Sequence, residues 1–143
     1  MYKHAYRVLI ALTLFAGLMV PATQAQSPIL RADIPFDFVV LNTRLHSGEY
    51  HVKQMSPGIT MIQSKDARSS AVVMTRVVPA GKITDVGKLV FNRYGDQYFL
   101  SKIWAASSAT GHELPKSRLE REVAKGLSTD GTTVIAAKSA LKK

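Results

Sequence analysis

Lys88-Leu-Val-Phe-Asn-Arg-Tyr-Gly-Asp-Gln-Tyr-Phe-Leu-Ser-Lys-Ile-Trp104 constrains the fold more than any other stretch of this chain. Two runs rich in aromatic and β-branched side chains flank Gly95-Asp96, a two-residue loop whose leading glycine supplies the positive φ such a hairpin needs. The loop pairs Tyr94 with Gln97, Arg93 with Tyr98 and Phe91 with Leu100. Alternation then gathers Leu89, Phe91, Tyr98, Leu100 and Trp104 on one face, the expected core, and Val90, Phe99 and Ile103 on the other. Apolar side chains on both faces predict a sheet that is covered on both sides or curls into a barrel.

Short alternating segments continue this pattern upstream. Asp33 to Val40 places Ile34, Phe36, Phe38 and Val40 on one face and Asp33 and Asp37 on the other, with Pro35 confining the strand to an edge or a strand start. Asn42 to Gly48 reads as a turn, Glu49 to Met55 as a strand around Tyr50 and Val52, and Ser56-Pro57-Gly58 as the next turn. Ile59 to Gln63 is a further strand. Arg68 to Val78 is the longest β-branched run and is expected to be central, because both its faces are apolar.

The period changes after Leu114. Residues 115–126 read as a short helix with Pro115 in the first turn, Ser117 and Glu120 as a capping box and Gly126 at the stop. Leu119, Val123 and Leu127 form its expected docking stripe, while Glu120 and Glu122 are expected to solvate it and Glu122 can pair with Lys125. A last strand near 132–137 follows the Asp130-Gly131 turn, and 138–143 is a basic tail.

Met1 to Ala25 reads as a cleavable signal peptide. Lys3 and Arg7 precede the apolar run Val8 to Val20, Pro21 closes it, and Thr23-Gln24-Ala25 offers the small-x-small pattern for cleavage before Gln26. Thirteen apolar residues are short of the roughly 20 that a spanning helix needs. The expectation is an exported protein, periplasmic or secreted, with residues 26–143 forming one domain and no membrane span after cleavage.

The chain has 143 residues and no cysteine, which excludes thiol nucleophiles, thiolate metal sites and disulfides. Its formal charge is +9. Scattered basic residues support solubility and attraction to an anionic envelope component or another envelope protein. No nucleic-acid reading motif is present.

No set of residues assembles a catalytic centre in the sequence. His46 and His51 lack a carboxylate at ligand spacing, His112 stands next to Glu113 on extended chain, and Ser139-x-x-Lys142 lies at the end of the chain without partner motifs. No metal, cofactor or catalytic residue is therefore expected, and an enzyme is disfavoured. The candidate interaction surface comprises Arg93, Tyr94, Asp96 and Tyr98 at the hairpin tip and Lys116, Arg118, Arg121 and Lys125 on the helix.

Ile34-Pro-Phe-Asp-Phe-Val, Gly48-Glu-Tyr, the hairpin, and Leu114-Pro-Lys-Ser-Arg-Leu-Glu-Arg-Glu resemble small exported β-rich proteins typical of acidobacteria. The resemblance runs from about residue 31 to 125. It implies a mostly β domain with a C-terminal helical segment and carries no activity or site residue. The expected fold is all-β: one antiparallel sandwich or flattened barrel of about seven strands with one short helix. The expected function is that of a non-enzymatic envelope or secreted binding or structural domain, with a small barrel carrying an apolar ligand as the alternative.

Overall fold

The hairpin forms with the anticipated register at its tip: Tyr94 faces Gln97, Arg93 faces Tyr98 and Phe91 faces Leu100. Gly95 takes φ +58°, the conformation that a side chain would resist. The computed structural model describes residues 29–128 and 131–140, so the expected signal segment, Asp130 and the tail at 141–143 lie outside the described residues.

Among the described residues, eleven strands and one helix follow in chain order. They are β1 (Ile29–Ile34), β2 (Phe38–Val40), β3 (Thr43–Leu45), β4 (Gly48–Ser56), β5 (Ile59–Ser64), β6 (Ser70–Met74), β7 (Arg76–Pro79), β8 (Gly87–Tyr94), β9 (Gln97–Trp104), β10 (Thr110–Glu113), α1 (Arg118–Gly126) and β11 (Gly131–Ala140). The expected seven is exceeded because anticipated segments break or hide strands. The Asp33 to Val40 run ends β1 at Ile34, since Pro35 has no N–H to continue the ladder, and resumes as β2. Pro35 therefore follows a strand that is flanked on both sides, by β4 and β11, and does not mark an edge. The presumed turn at Asn42 to Gly48 contains β3.

The largest correction concerns Arg68 to Val78. This run splits at Thr75 into β6 and β7, and β6 ends the sheet path β3-β2-β9-β8-β11-β1-β4-β5-β6. It is an edge strand, with Val72 and Met74 pointing outward at 62% and 75% exposure and only Ala71 and Val73 buried. β6 pairs with β5, whereas β7 pairs with β10, which runs beside β9. The continuous stretch from Ser70 to Pro79 thus carries the sheet from β5 round to β9 and nearly closes a barrel. Thr75 holds this corner: its N–H donates to the Gly58 carbonyl at 2.8 Å, and its Oγ1 lies 3.5 Å from Thr60 Oγ1 and 3.3 Å from His112 Nδ1.

A bulge rearranges the far end of the hairpin. Phe91 faces Leu100 but Val90 faces Lys102, leaving Ser101 as the extra residue. One inserted residue exchanges the faces of everything beyond it. Ile103, expected outside, enters the core with Leu89, Phe91 and Leu100; Trp104, expected inside, turns outward.

Side chains fill the interior. Ile34, Phe38, Tyr50, Ile62, Leu89 and Phe91 are among its buried members, and Phe38 meets Tyr50 and Phe91 edge to face at 5.0 and 5.5 Å. A smaller cluster of Val39, Tyr94 and Phe99 lies under Val123 and Ala124 of α1, so the β2–β9–β8 wall is apolar on both sides. Helix α1 covers this outer wall.

Candidate interaction surface

The helix is oriented by a buried carboxylate. Ser117 is its N-cap, accepting the Glu120 N–H on Oγ at 3.0 Å. Pro115 precedes the cap and lies outside the helix, contrary to the expected start. Glu120 is 4% exposed, and its Oε1 accepts from Asn92 Nδ2 at 2.9 Å and from the Tyr94 hydroxyl at 3.2 Å. It does not solvate the helix. Glu120, Val123 and Ala124 form the docking face, while Leu119 and Leu127 of the expected stripe are exposed. The true stripe shares Val123 with the expected one but is turned by about 50° around the axis, because the wall beneath supplies polar donors as well as apolar surface.

This rotation determines which charges face outward. Arg118, Arg121 and Lys125 recur at i, i+3 and i+7, one side of the helix opposite its docked face, and all are exposed, as is Lys116 before the cap. Arg118 Nε donates to Glu122 Oε1 at 3.0 Å, the i,i+4 partner in place of the expected Lys125. The result is a basic face fixed to the barrel.

The hairpin-tip residues separate. Tyr94 is 1% exposed and bonded to Glu120, so it is no contact residue. Tyr98 stacks on Phe36 with centroids 3.9 Å apart and serves the core. Arg93 is exposed, its Nε donating to the Gly95 carbonyl at 2.9 Å and its guanidinium 5.8 Å from the Tyr98 ring. Asp96 is exposed beside it. The sequence placed all four on one surface; the structure leaves two there.

Two concavities were not foreseen. The first, about 590 Å³, opens where a ladder forks. Arg76 facing Glu113 is the last pair between β7 and β10. Beyond it Leu114 donates its N–H to the Ser101 carbonyl at 2.9 Å, which turns the chain onto the β9 bulge, and Pro115 has no N–H to offer β6. Met74, Leu114 and Pro115 supply apolar walls and Arg76, Glu113 and Lys116 the charged rim. Arg76 binds Glu113 Oε2 through Nε at 2.8 Å, and Lys102 Nζ lies 3.8 Å from Oε1. Pro115 was the available sequence signal, since a proline after a strand stops pairing.

The second, about 230 Å³, lies beside Trp104 between Gly81, Lys82, Thr84 and Ser108. Lys88 faces Trp104 across the ladder with Nζ 5.9 Å from the ring, and Gly111 faces it on the other side. A Cβ at Gly111 would come within 2.4 to 2.8 Å of three indole carbons, closer than van der Waals contact allows, so the ring covers a glycine that faces it across the sheet.

The histidines are dispersed. His46 Nδ1 is 3.3 Å from Asp37, His51 Nε2 is 3.8 Å from Glu49, and His112 reaches Thr75. The Ser47 backbone N–H, and then the His46 ring, hold the Asp37 carboxyl below its ordinary value. The Lys65 ammonium does the same for Glu49 and the Ser64 hydroxyl for Asp66. Burial pushes the Tyr50 phenol up and the His112 imidazole down. The carboxylate shifts come from local contacts and the Tyr50 and His112 shifts from burial, and among the described residues no three His, Asp or Glu side chains gather as metal ligands would.

Comparison with known proteins finds no family, no curated protein and no solved structure that matches the chain.

Proposed function

We propose that the chain is an exported, non-enzymatic binding domain whose contacts are made on its outer surface. The observation that carries this reading is the clamp at Glu120. A carboxylate buried against Asn92 and Tyr94 fixes the helix in one rotation, and that rotation holds Arg118, Arg121 and Lys125 toward solvent. A rigid basic face suits an anionic envelope polymer or protein, since charges held in place lose little entropy on binding. The signal-like segment at Met1 to Ala25 and the resemblance to exported acidobacterial proteins support the location. The alternative, an apolar-ligand carrier, needs space where Phe38, Tyr50 and Phe91 meet edge to face.

The test measures binding of dextran sulfate, as the anionic probe, by the purified protein. Replacing Arg118, Arg121 and Lys125 by glutamate is expected to lower affinity at least about tenfold and to flatten its salt dependence. Unchanged affinity with an unchanged melting curve would remove the helix face from the reading.

A further inference from the structure

We infer that the edge of β6 is a docking site for an extended, acid-flanked peptide segment of another protein, which adds to the barrel as a strand. The inference rests on the binding-domain reading and names a partner and a place for it.

Two independent features point there. β6 is an edge without the usual guards. Ser-Ala-Val-Val-Met over Ser70–Met74 contains no proline, lysine or other charge, and Val72 and Met74 are exposed outward. Exposed edges normally carry charges, prolines or bulges, because their free N–H and C=O groups template further pairing. The second feature is the groove at the fork. The β7–β10 ladder stops at Arg76 and Glu113, and the groove of about 590 Å³ lies where that ladder would have continued past Met74. A guest strand entering it continues the ladder along the free side of β6, with main-chain bonds giving affinity and the apolar walls at Met74, Leu114 and Pro115 receiving alternate side chains.

Charge identifies the guest. Arg68 and Arg76 flank β6, and Lys116 stands on the far rim of the groove; all three are exposed. Glu113 is engaged by Arg76 and Lys102, and Asp66 lies 3.7 Å from Arg68, so the four cations Arg68, Arg76, Lys102 and Lys116 stand against two carboxylates and the rim keeps a positive excess. A second copy of this chain fits poorly. Antiparallel pairing of β6 on itself, centred on Val72, would set Arg68 opposite Arg76, and the two chains each carry a formal +9. An apolar strand bounded by acidic residues meets both requirements.

The probe is a fluorescein-labelled peptide of alternating threonine and valine with aspartate at both ends, followed by anisotropy with the purified protein. A lysine-ended peptide and one with a central proline serve as controls. The acid-ended peptide is expected to bind at least about tenfold more tightly than either, and Val72→Glu or Met74→Glu to weaken it at least about tenfold. Both substitutions are at exposed positions, so circular dichroism should show an unchanged melt. Replacing Arg118 and Arg121 should leave peptide binding intact. Equal affinity of the three peptides, no binding, or wild-type affinity of the folded Val72→Glu variant would overturn the inference. So would a β6-dependent homodimer in sedimentation, which would assign the edge to self-pairing. Peptide failure with dextran sulfate binding preserved sinks this inference alone; loss of both sinks the binding-domain reading as well.

Discussion

The Tyr94 hydroxyl donates to Glu120 Oε1 across 3.2 Å, joining the tip of the hairpin to a helix residue 26 positions further along the chain. Both side chains are buried, so neither can exchange this contact for water. Removing the acceptor leaves Asn92 and Tyr94 each with an orphaned donor. Glu120→Ala is expected to cost on the order of 1–3 kcal/mol, and Glu120→Gln, which keeps one acceptor oxygen, less. Thermal melts followed by circular dichroism compare the two; equal losses would show that the oxygen is not what matters.

Ser117 supplies a second, separable part of the same attachment. Its Oγ accepts the Glu120 N–H at the start of α1. Ser117→Ala is expected to cost about 1 kcal/mol, and Ser117→Asp to retain the cap. Chemical denaturation of both variants provides the check, and a stable alanine variant would contradict the capping role.

The Trp104–Gly111 contact offers a spectroscopic test. Trp104 is the chain's one tryptophan, so its emission reports a single site. Gly111→Ala would bring a methyl group within 2.4 to 2.8 Å of three indole carbons and must displace the ring. The expected outcome is a red-shifted emission and a loss of roughly 1–3 kcal/mol from overpacking. Unaltered fluorescence would mean that the indole does not rest on Gly111.

The hairpin shows how far the sequence could be read. Its turn and the first four pairs followed from Gly95-Asp96 and alternation alone, because local chemistry decides a two-residue loop. The bulge at Ser101 has no comparable signature, and a single extra residue sent Ile103 inward and Trp104 outward. Thr75 divided β6 from β7 for a similar reason: its corner depends on Gly58, Thr60 and His112, all remote in sequence. The capping box was legible, but the side of α1 that docks was not. A hydrophobicity pattern favours Leu119 and Leu127, whereas the wall offers Asn92 and Tyr94 to a carboxylate. The basic residues of the helix were found; the groove was not, since it needs strands from three parts of the chain.

Deleting Ser101 tests the bulge directly. Without it Lys102 follows Leu100 directly, and the pairs Val90–Lys102, Leu89–Ile103 and Lys88–Trp104 continue as a regular ladder, so Ile103 stays inside and Trp104 outside. The expected result is a retained cooperative melt with the Trp104 emission unchanged, and Ser101→Ala should stay within about 0.5 kcal/mol of wild type. Loss of the cooperative melt in the deletion variant would refute this account of the two faces.

Stability should fall with acid in two stages. The folded value of His112 lies below its ordinary 6.5, so the unfolded chain takes up that proton first. Its contribution is complete above about 6.5 and declines as pH falls toward the depressed folded value. Asp37, Asp66 and Glu49, with ordinary values of 3.8, 3.8 and 4.5, act in the same direction lower down. What each adds above those values disappears as pH falls through its lowered folded value, and solvent screening keeps each share small. Melting temperature against pH should show both declines, and His112→Gln should erase only the upper one. A wild-type Tm that does not change between about pH 7 and 5 would contradict the burial of His112.

β11 sits between β1 and β8, with Ile29 facing Ala140 at one end of the ladder. The first described strand therefore waits for the last before it has both neighbours. A chain whose residues up to 140 are not yet free lacks the strand joining the two halves of its wall. Hairpins such as β8–β9 and β4–β5 are local and need no such wait, but the seam between β1 and β8 closes only through the most distant pairing in the sheet, the kind of contact that slows folding.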